Sequence, residues 1–135
     1  MKAIYPIIGL FGIAAVFGVY LLALVLCNKN TRKGVAFIHG FMAILALALL
    51  IVYSLSSIDG PAECIVLFGI AAFAGLVLIY KDLSGRPIPR WLAVIHGTVA
   101  ILGFVLLIFF ASHHISPNAS VTDSSENRAL TGRSL

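Results

Sequence analysis

Leu10-Phe11-Gly12-Ile13-Ala14-Ala15 recurs, residue for residue, as Leu67-Phe68-Gly69-Ile70-Ala71-Ala72. The same interval of 57 positions separates Ile38-His39-Gly40 from Ile95-His96-Gly97, and Ala-Ile-Leu begins three residues after each of those glycines. Setting residues 8–51 against 65–108 without a gap gives 20 identical pairs in 44, which marks the chain as an internal duplication. Whatever one copy builds, the other builds again, and each copy places one histidine within an apolar run.

The composition decides what those runs are. The chain is 61% hydrophobic and 10% charged, with a mean hydropathy of +1.09, which excludes an ordinary soluble domain. Its charges fall in short breaks between apolar runs of about 20 residues, the length that spans a bilayer core as helix. Four spans are expected, at 5–27, 35–55, 62–80 and 91–112. Each is too long for a strand, and helices satisfy their own backbone groups in lipid. The expected fold is therefore an all-α membrane domain of four transmembrane helices over 1–115, made of repeats at about 1–57 and 58–114. A tail over 116–135, rich in Ser, Asn and Thr, reads as disordered. Each repeat holds an even number of spans, so both copies insert with the same orientation. Two parallel helical hairpins, related by a pseudo-twofold axis along the membrane normal, follow from that.

Lys2 before a long apolar run gives the N-terminus the look of a signal peptide. The same pattern stands mid-chain in the third span, however, and Leu26 before Cys27 is too large for the usual cleavage or lipidation site. A retained span is the expectation. Orientation comes from the basic residues: the first connection holds Lys29, Arg32 and Lys33, and the third holds Lys81, Arg86 and Arg90 against Asp82 alone. The middle connection holds Asp59 and Glu63 with no Lys or Arg. The excess of positive charge places the first and third connections in the cytoplasm and both termini outside, in an inner or plasma membrane. Tyr5 and Tyr53 then mark the outer boundary, and Tyr80 and Trp91 the inner one, as interfacial anchors. Cys27 and Cys64 fall at opposite boundaries, a membrane thickness apart, beyond the reach of a disulfide. Both read as small apolar fillers.

His39 and His96 lie at matching depths, roughly 6–8 Å inside the hydrocarbon boundary at the helical rise per residue. His39 has Ala36 a turn below, Ala43 a turn above and Gly40 beside it; His96 has Ala93, Ala100 and Gly97 in the same places. Spans one and three carry small stripes of their own, Gly9, Gly12, Ala15 and Gly18, then Gly69, Ala72 and Gly75. A polar ring turned to lipid has no partner, so both imidazoles are expected to face the bundle interior. Two neutral imidazoles at one level, one from each half, suit a planar metal macrocycle lying between them. Haem iron accepts an axial ligand on each face, and bundle cores house such sites. Lys33 and Arg90, six residues before their histidines, together with Arg32, are candidate partners for the haem propionates. With both axial positions filled by protein, the implied work is electron transfer rather than catalysis at the iron.

At Ala36-x-x-His39-Gly40-x-x-Ala43 and Ala93-x-x-His96-Gly97-x-x-Ala100, and in its parallel duplication, the chain resembles small four-helix membrane b-type cytochromes. The likeness covers the whole membrane part and is one of architecture. Better-known members of that group hold two haems on four histidines; two histidines lie within the spans here, enough for one haem b. A chlorophyll-type pigment, which takes one axial histidine per ring, stays open beside haem. Zinc or copper would want more ligands than two imidazoles, and no Cys, Asp or Glu stands at that level.

Other readings compete. Each histidine can equally bond a neighbouring helix, with Gly and Ala permitting close packing; the chain is then a cofactor-free accessory subunit whose small stripes dock other membrane subunits. A small transporter using the two membrane histidines is a third class, although no Asp or Glu lies deep within a span to carry a coupled proton. His113-His114 point in different directions on a helix and read as solvated. Asn118-Ala119-Ser120 matches a glycosylation acceptor. Pro87 and Pro89 stiffen a connector, and Glu63 meets the positive start of the third helix. No nucleophile-base pair, phosphate loop or paired carboxylates occur, so an electron carrier or accessory subunit is favoured over an enzyme. The net charge of +4 reflects topology, not nucleic-acid binding; the lipid bilayer and a redox partner are the expected partners.

Overall fold

An apolar run without polar neighbours folds as helix because only the helix pairs its backbone groups within the segment. The computed structural model describes residues 4–57 and 60–113, in which α1 (Ile4–Leu26), α2 (Lys33–Leu55), α3 (Ala62–Leu83) and α4 (Arg90–His113) follow one another. Among the described residues there is no strand. All four helices are long and apolar enough to cross a membrane. At 22 to 24 residues each, they measure ~33–36 Å at 1.5 Å per residue, enough for the ~30 Å hydrocarbon layer. By these helices the chain is a multi-pass membrane protein. The polar tail, His114 and the Asn118-Ala119-Ser120 triplet lie outside the described residues.

The two basic connections are built alike. α1 ends with Asn28 in the left-handed region, at φ 54°, and α3 ends with Gly85 at φ 66°. One residue later the N–H of Lys29 reaches back to the Leu24 carbonyl at 2.9 Å, and that of Arg86 reaches the Lys81 carbonyl at 3.0 Å. This is the Schellman ending, in which a left-handed residue turns the chain and returns an amide to an orphan carbonyl. Glycine accepts that conformation without a Cβ penalty, and asparagine is the next most tolerant residue. Asn28 and Gly85 are 57 apart, as are Lys29 and Arg86. Between the two connections, the Thr31 hydroxyl donates to the Asp82 carboxylate at 2.6 Å.

Both α1 and α3 pack against α2 and α4, so α1 faces α3 and α2 faces α4 across the diagonals of a square. Packing is closest within each hairpin. The tight core lies in the half remote from the basic connections: Ile4, Ile7 and Phe11 of α1, Ala46 and Leu50 of α2, Cys64 and Phe68 of α3, Leu107 and Ala111 of α4. Ile7 and Cys64, Phe11 and Phe68, and Leu50 and Leu107 are all pairs at the 57-residue interval. Phe11 and Phe68 meet across the diagonal, stacked at 3.9 Å between ring centres with planes 10° apart. Cys64 is buried here as a small apolar filler, and Cys27 is exposed.

Large apolar side chains cover the outside. Phe41 is 69% exposed and Phe73 72%, an exposure that a lipid solvent accepts and water does not. The helix ends fall close to the expected ones, with one difference. α3 runs three residues past Tyr80 because Lys81 and Asp82 break the apolar run without breaking the helix, which stops only at the cap before Gly85.

Candidate functional site

His39 is the seventh residue of α2 and His96 the seventh of α4, on the two helices that oppose each other across a diagonal. Their rings meet in the interior with centres 6.2 Å apart and planes at 85°. Each imidazole also reaches sideways to the first helix of its own hairpin. His39 Nδ1 donates to the Ala14 carbonyl of α1 at 2.8 Å, and His96 Nδ1 donates to the Ala71 carbonyl of α3 at 2.8 Å. Both donors and both acceptors are 57 residues apart.

A carbonyl accepts only, so each Nδ1 carries the proton, and in the neutral ring Nε2 keeps its lone pair. Ala14 and Ala71 are themselves buried. A mid-helix carbonyl already accepts from the amide four residues on, which here belongs to Gly18 or Gly75. The absence of a side chain at those two positions opens the carbonyl's flank to the ring. A Cβ at Gly18 would stand 2.9 Å from His39 Cε1, and one at Gly75 would stand 3.1 Å from His96 Cε1. One glycine of each small stripe, Gly18 of α1 and Gly75 of α3, thus serves an imidazole directly.

The remaining candidates are distributed around this pair. Ala93 is buried, while Ala36, Ala43 and Ala100 are half-buried. A Cβ at Gly40 would meet nothing within 4 Å, and one at Gly97 would meet only Leu22 Cδ2 at 3.6 Å. Neither of these glycines therefore holds a ring as Gly18 and Gly75 do. Lys33, exposed at the start of α2, lines a cavity at the basic end of the bundle. Arg32, the backbone N-cap of α2, and Arg90, the first residue of α4, lie outside that cavity. Among the described residues no cluster of three or more His, Cys, Asp or Glu forms. His113 packs on Phe109, with ring centres 4.3 Å apart, at the opposite end of α4.

Sequence reasoning missed the two carbonyls and the role of the glycines facing them. The signal was available in the duplication, since Ala14, Gly18 and His39 all recur at the same interval. What arises is a pair of half-buried imidazoles, each oriented through Nδ1 by a carbonyl of the neighbouring helix. Comparison with protein-family models, with curated proteins and with solved structures finds no match for this chain.

Proposed function

We propose that the chain holds one b-type haem between α2 and α4, with Nε2 of His39 and of His96 as its two axial ligands, and that it transfers electrons. The observation that carries this reading is the close pair of imidazoles on α2 and α4, each with Nδ1 already committed to a backbone carbonyl. Ligating histidines are ordinarily oriented in this way, by donating the other ring N–H to a carbonyl or carboxylate. Two nitrogen donors, one from each half, are the donor set that a haem iron would take. When bound, haem supplies one-electron redox chemistry at a potential set by its ligands and surroundings.

The chain's own residues do the rest. Ala14 and Ala71 fix the rings, and Gly18 and Gly75 give them space. The Phe11–Phe68 stack closes the interior ~10 Å further along α1, seven residues from Gly18. Lys33, with Arg32 and Arg90, would supply positive charge for the carboxylates of a bound haem. The matched contacts at 57-residue intervals support two parallel hairpins about a pseudo-twofold axis along the membrane normal. The excess of basic residues in the two connections supports a cytoplasmic position for that end of the bundle, with both termini outside, in an inner or plasma membrane.

The same hydrogen bonds favour a second reading. An imidazole that bonds the neighbouring helix and fills the hollow over a glycine is satisfied by packing alone, as in a cofactor-free accessory subunit. The absorption spectrum of detergent-purified protein, expressed with ample haem, separates the two. A sharp reduced-minus-oxidised band typical of six-coordinate haem is expected, and His39→Ala or His96→Ala should each abolish or broaden it. A colourless preparation that co-purifies with a stoichiometric membrane partner would establish the accessory role instead.

A further inference from the structure

The basic end of the bundle contains a cavity of about 620 Å³ that the haem reading does not use as a whole. Its lining repeats the duplication. Lys29 and Arg86, 57 apart, both face it, delivered to equivalent places by the two Schellman endings. Thr31 and Asp82 also line it, hydrogen-bonded to each other, and the positions equivalent to them are Ile88 and Val25, which line it too. The cavity therefore lies between the two connections.

Its charge is unbalanced. Lys29, Lys33 and Arg86 contribute three positive charges and Asp82 one negative charge. Asp82 accepts from the Thr31 hydroxyl, and among the described residues none of the three cations forms an ion pair. In a soluble domain such cations would point to bulk water with little consequence. Here all three border one hollow at the basic end of the bundle, and the two duplicated turns set Lys29 and Arg86 at its rim. The volume is in the range of small-molecule sites, and convergent Lys and Arg recognise phosphate oxygens through charge-assisted hydrogen bonds. Basic hollows between membrane helices on the cytoplasmic side take phosphate head groups for the same reason.

We propose that this cavity binds a phosphate-bearing anion, held by Lys29 and Arg86 from the two repeats with Lys33 beside them. The inference needs neither histidine; it shares Lys33 with the haem reading, and Lys29 and Arg86 belong to it alone. The phosphate can come from a soluble ester or from the head group of an anionic lipid, and the test has an arm for each.

In the first arm, the full chain in phosphatidylcholine nanodiscs is titrated calorimetrically with inorganic phosphate and with pyrophosphate. In the second, native mass spectrometry follows retention of phosphatidylglycerol against phosphatidylcholine. Saturable heat with pyrophosphate identifies a soluble source, and selective retention of phosphatidylglycerol identifies a lipid; either result supports the site. Lys29→Gln with Arg86→Gln should weaken the positive arm roughly tenfold, the sum of two partly exposed charge contacts, while Lys81→Gln, outside the lining, should leave it within about twofold. Both replaced side chains are exposed, so an unchanged helical circular dichroism spectrum is expected and certifies the fold of the double variant. Absence of binding in both arms, or equal binding by the folded double variant, would overturn the proposal.

Discussion

Adding one carbon at Gly18 tests how the imidazoles are seated. An alanine Cβ there would lie 2.9 Å from His39 Cε1 and 3.4 Å from Nδ1, whereas carbon atoms rest at ~3.5 Å or more. The ring must retreat by ~0.6 Å or the helices must part. A retreat of that size stretches the 2.8 Å bond to Ala14 beyond the ~3.2 Å limit of a good N–H···O bond. The lost bond costs ~0.6–1.7 kcal/mol between membrane helices, and the crowding adds ~1–3 kcal/mol. The better helix propensity of alanine offsets up to ~1 kcal/mol of this. The net expectation is a loss of roughly 1–5 kcal/mol. Gly75→Ala should cost less, because its Cβ would stand 3.1 Å from His96 Cε1. Gly9→Ala, with nothing within 4 Å of its Cβ, should be neutral or slightly stabilising. The assay is unfolding of the purified protein in mixed micelles by increasing sodium dodecyl sulfate, followed by circular dichroism. In a His39→Ala background the Gly18→Ala penalty should disappear, since the clashing ring is gone. Equal stability of the Gly18→Ala and Gly9→Ala variants, or a penalty that persists without His39, would refute the seating.

Three further outcomes use the same unfolding assay. Leu50→Ala, at a fully buried position, should lose ~2–5 kcal/mol, while Phe41→Ala on the outer surface should stay within about 0.5 kcal/mol of the parent. Phe11→Ala and Phe68→Ala should each lose ~3–5 kcal/mol, and their double-mutant cycle should return a coupling of ~0.5–1.5 kcal/mol for the stack. Gly85→Ala should cost ~1–2 kcal/mol from backbone strain at φ 66°, although its Cβ would meet nothing; a neutral result would place the origin of the cap elsewhere.

The helices were legible because apolar length, set by bilayer thickness, is written directly in composition. Their ends were less so where charge and helix disagree. Lys81 and Asp82 look like a boundary, yet the true stop is the left-handed residue beyond them, and Asn28 and Gly85 at one interval were the available sign of it. That the histidines face inward followed from the cost of a polar ring in lipid. Which atoms they meet did not, because acceptors on the backbone carry no residue type. Gly40 and Gly97 adjoin the histidines in sequence, whereas Gly18 and Gly75 adjoin them in space; only the packing of α1 on α2 and of α3 on α4 distinguishes these. The Phe11–Phe68 stack lay inside the very hexapeptide that revealed the duplication, but its partner across the diagonal depends on how the hairpins are set side by side.

The uneven distribution of the core has a spatial corollary. Leu50, Leu107 and the phenylalanine stack close one end of the bundle, and the hollow lies at the other, beside the basic loops. Counting residues along α2 at 1.5 Å each, His39 lies ~16 Å and Lys33 ~25 Å from Leu50. The imidazole pair thus stands about two thirds of the way from the closed end to the basic loops.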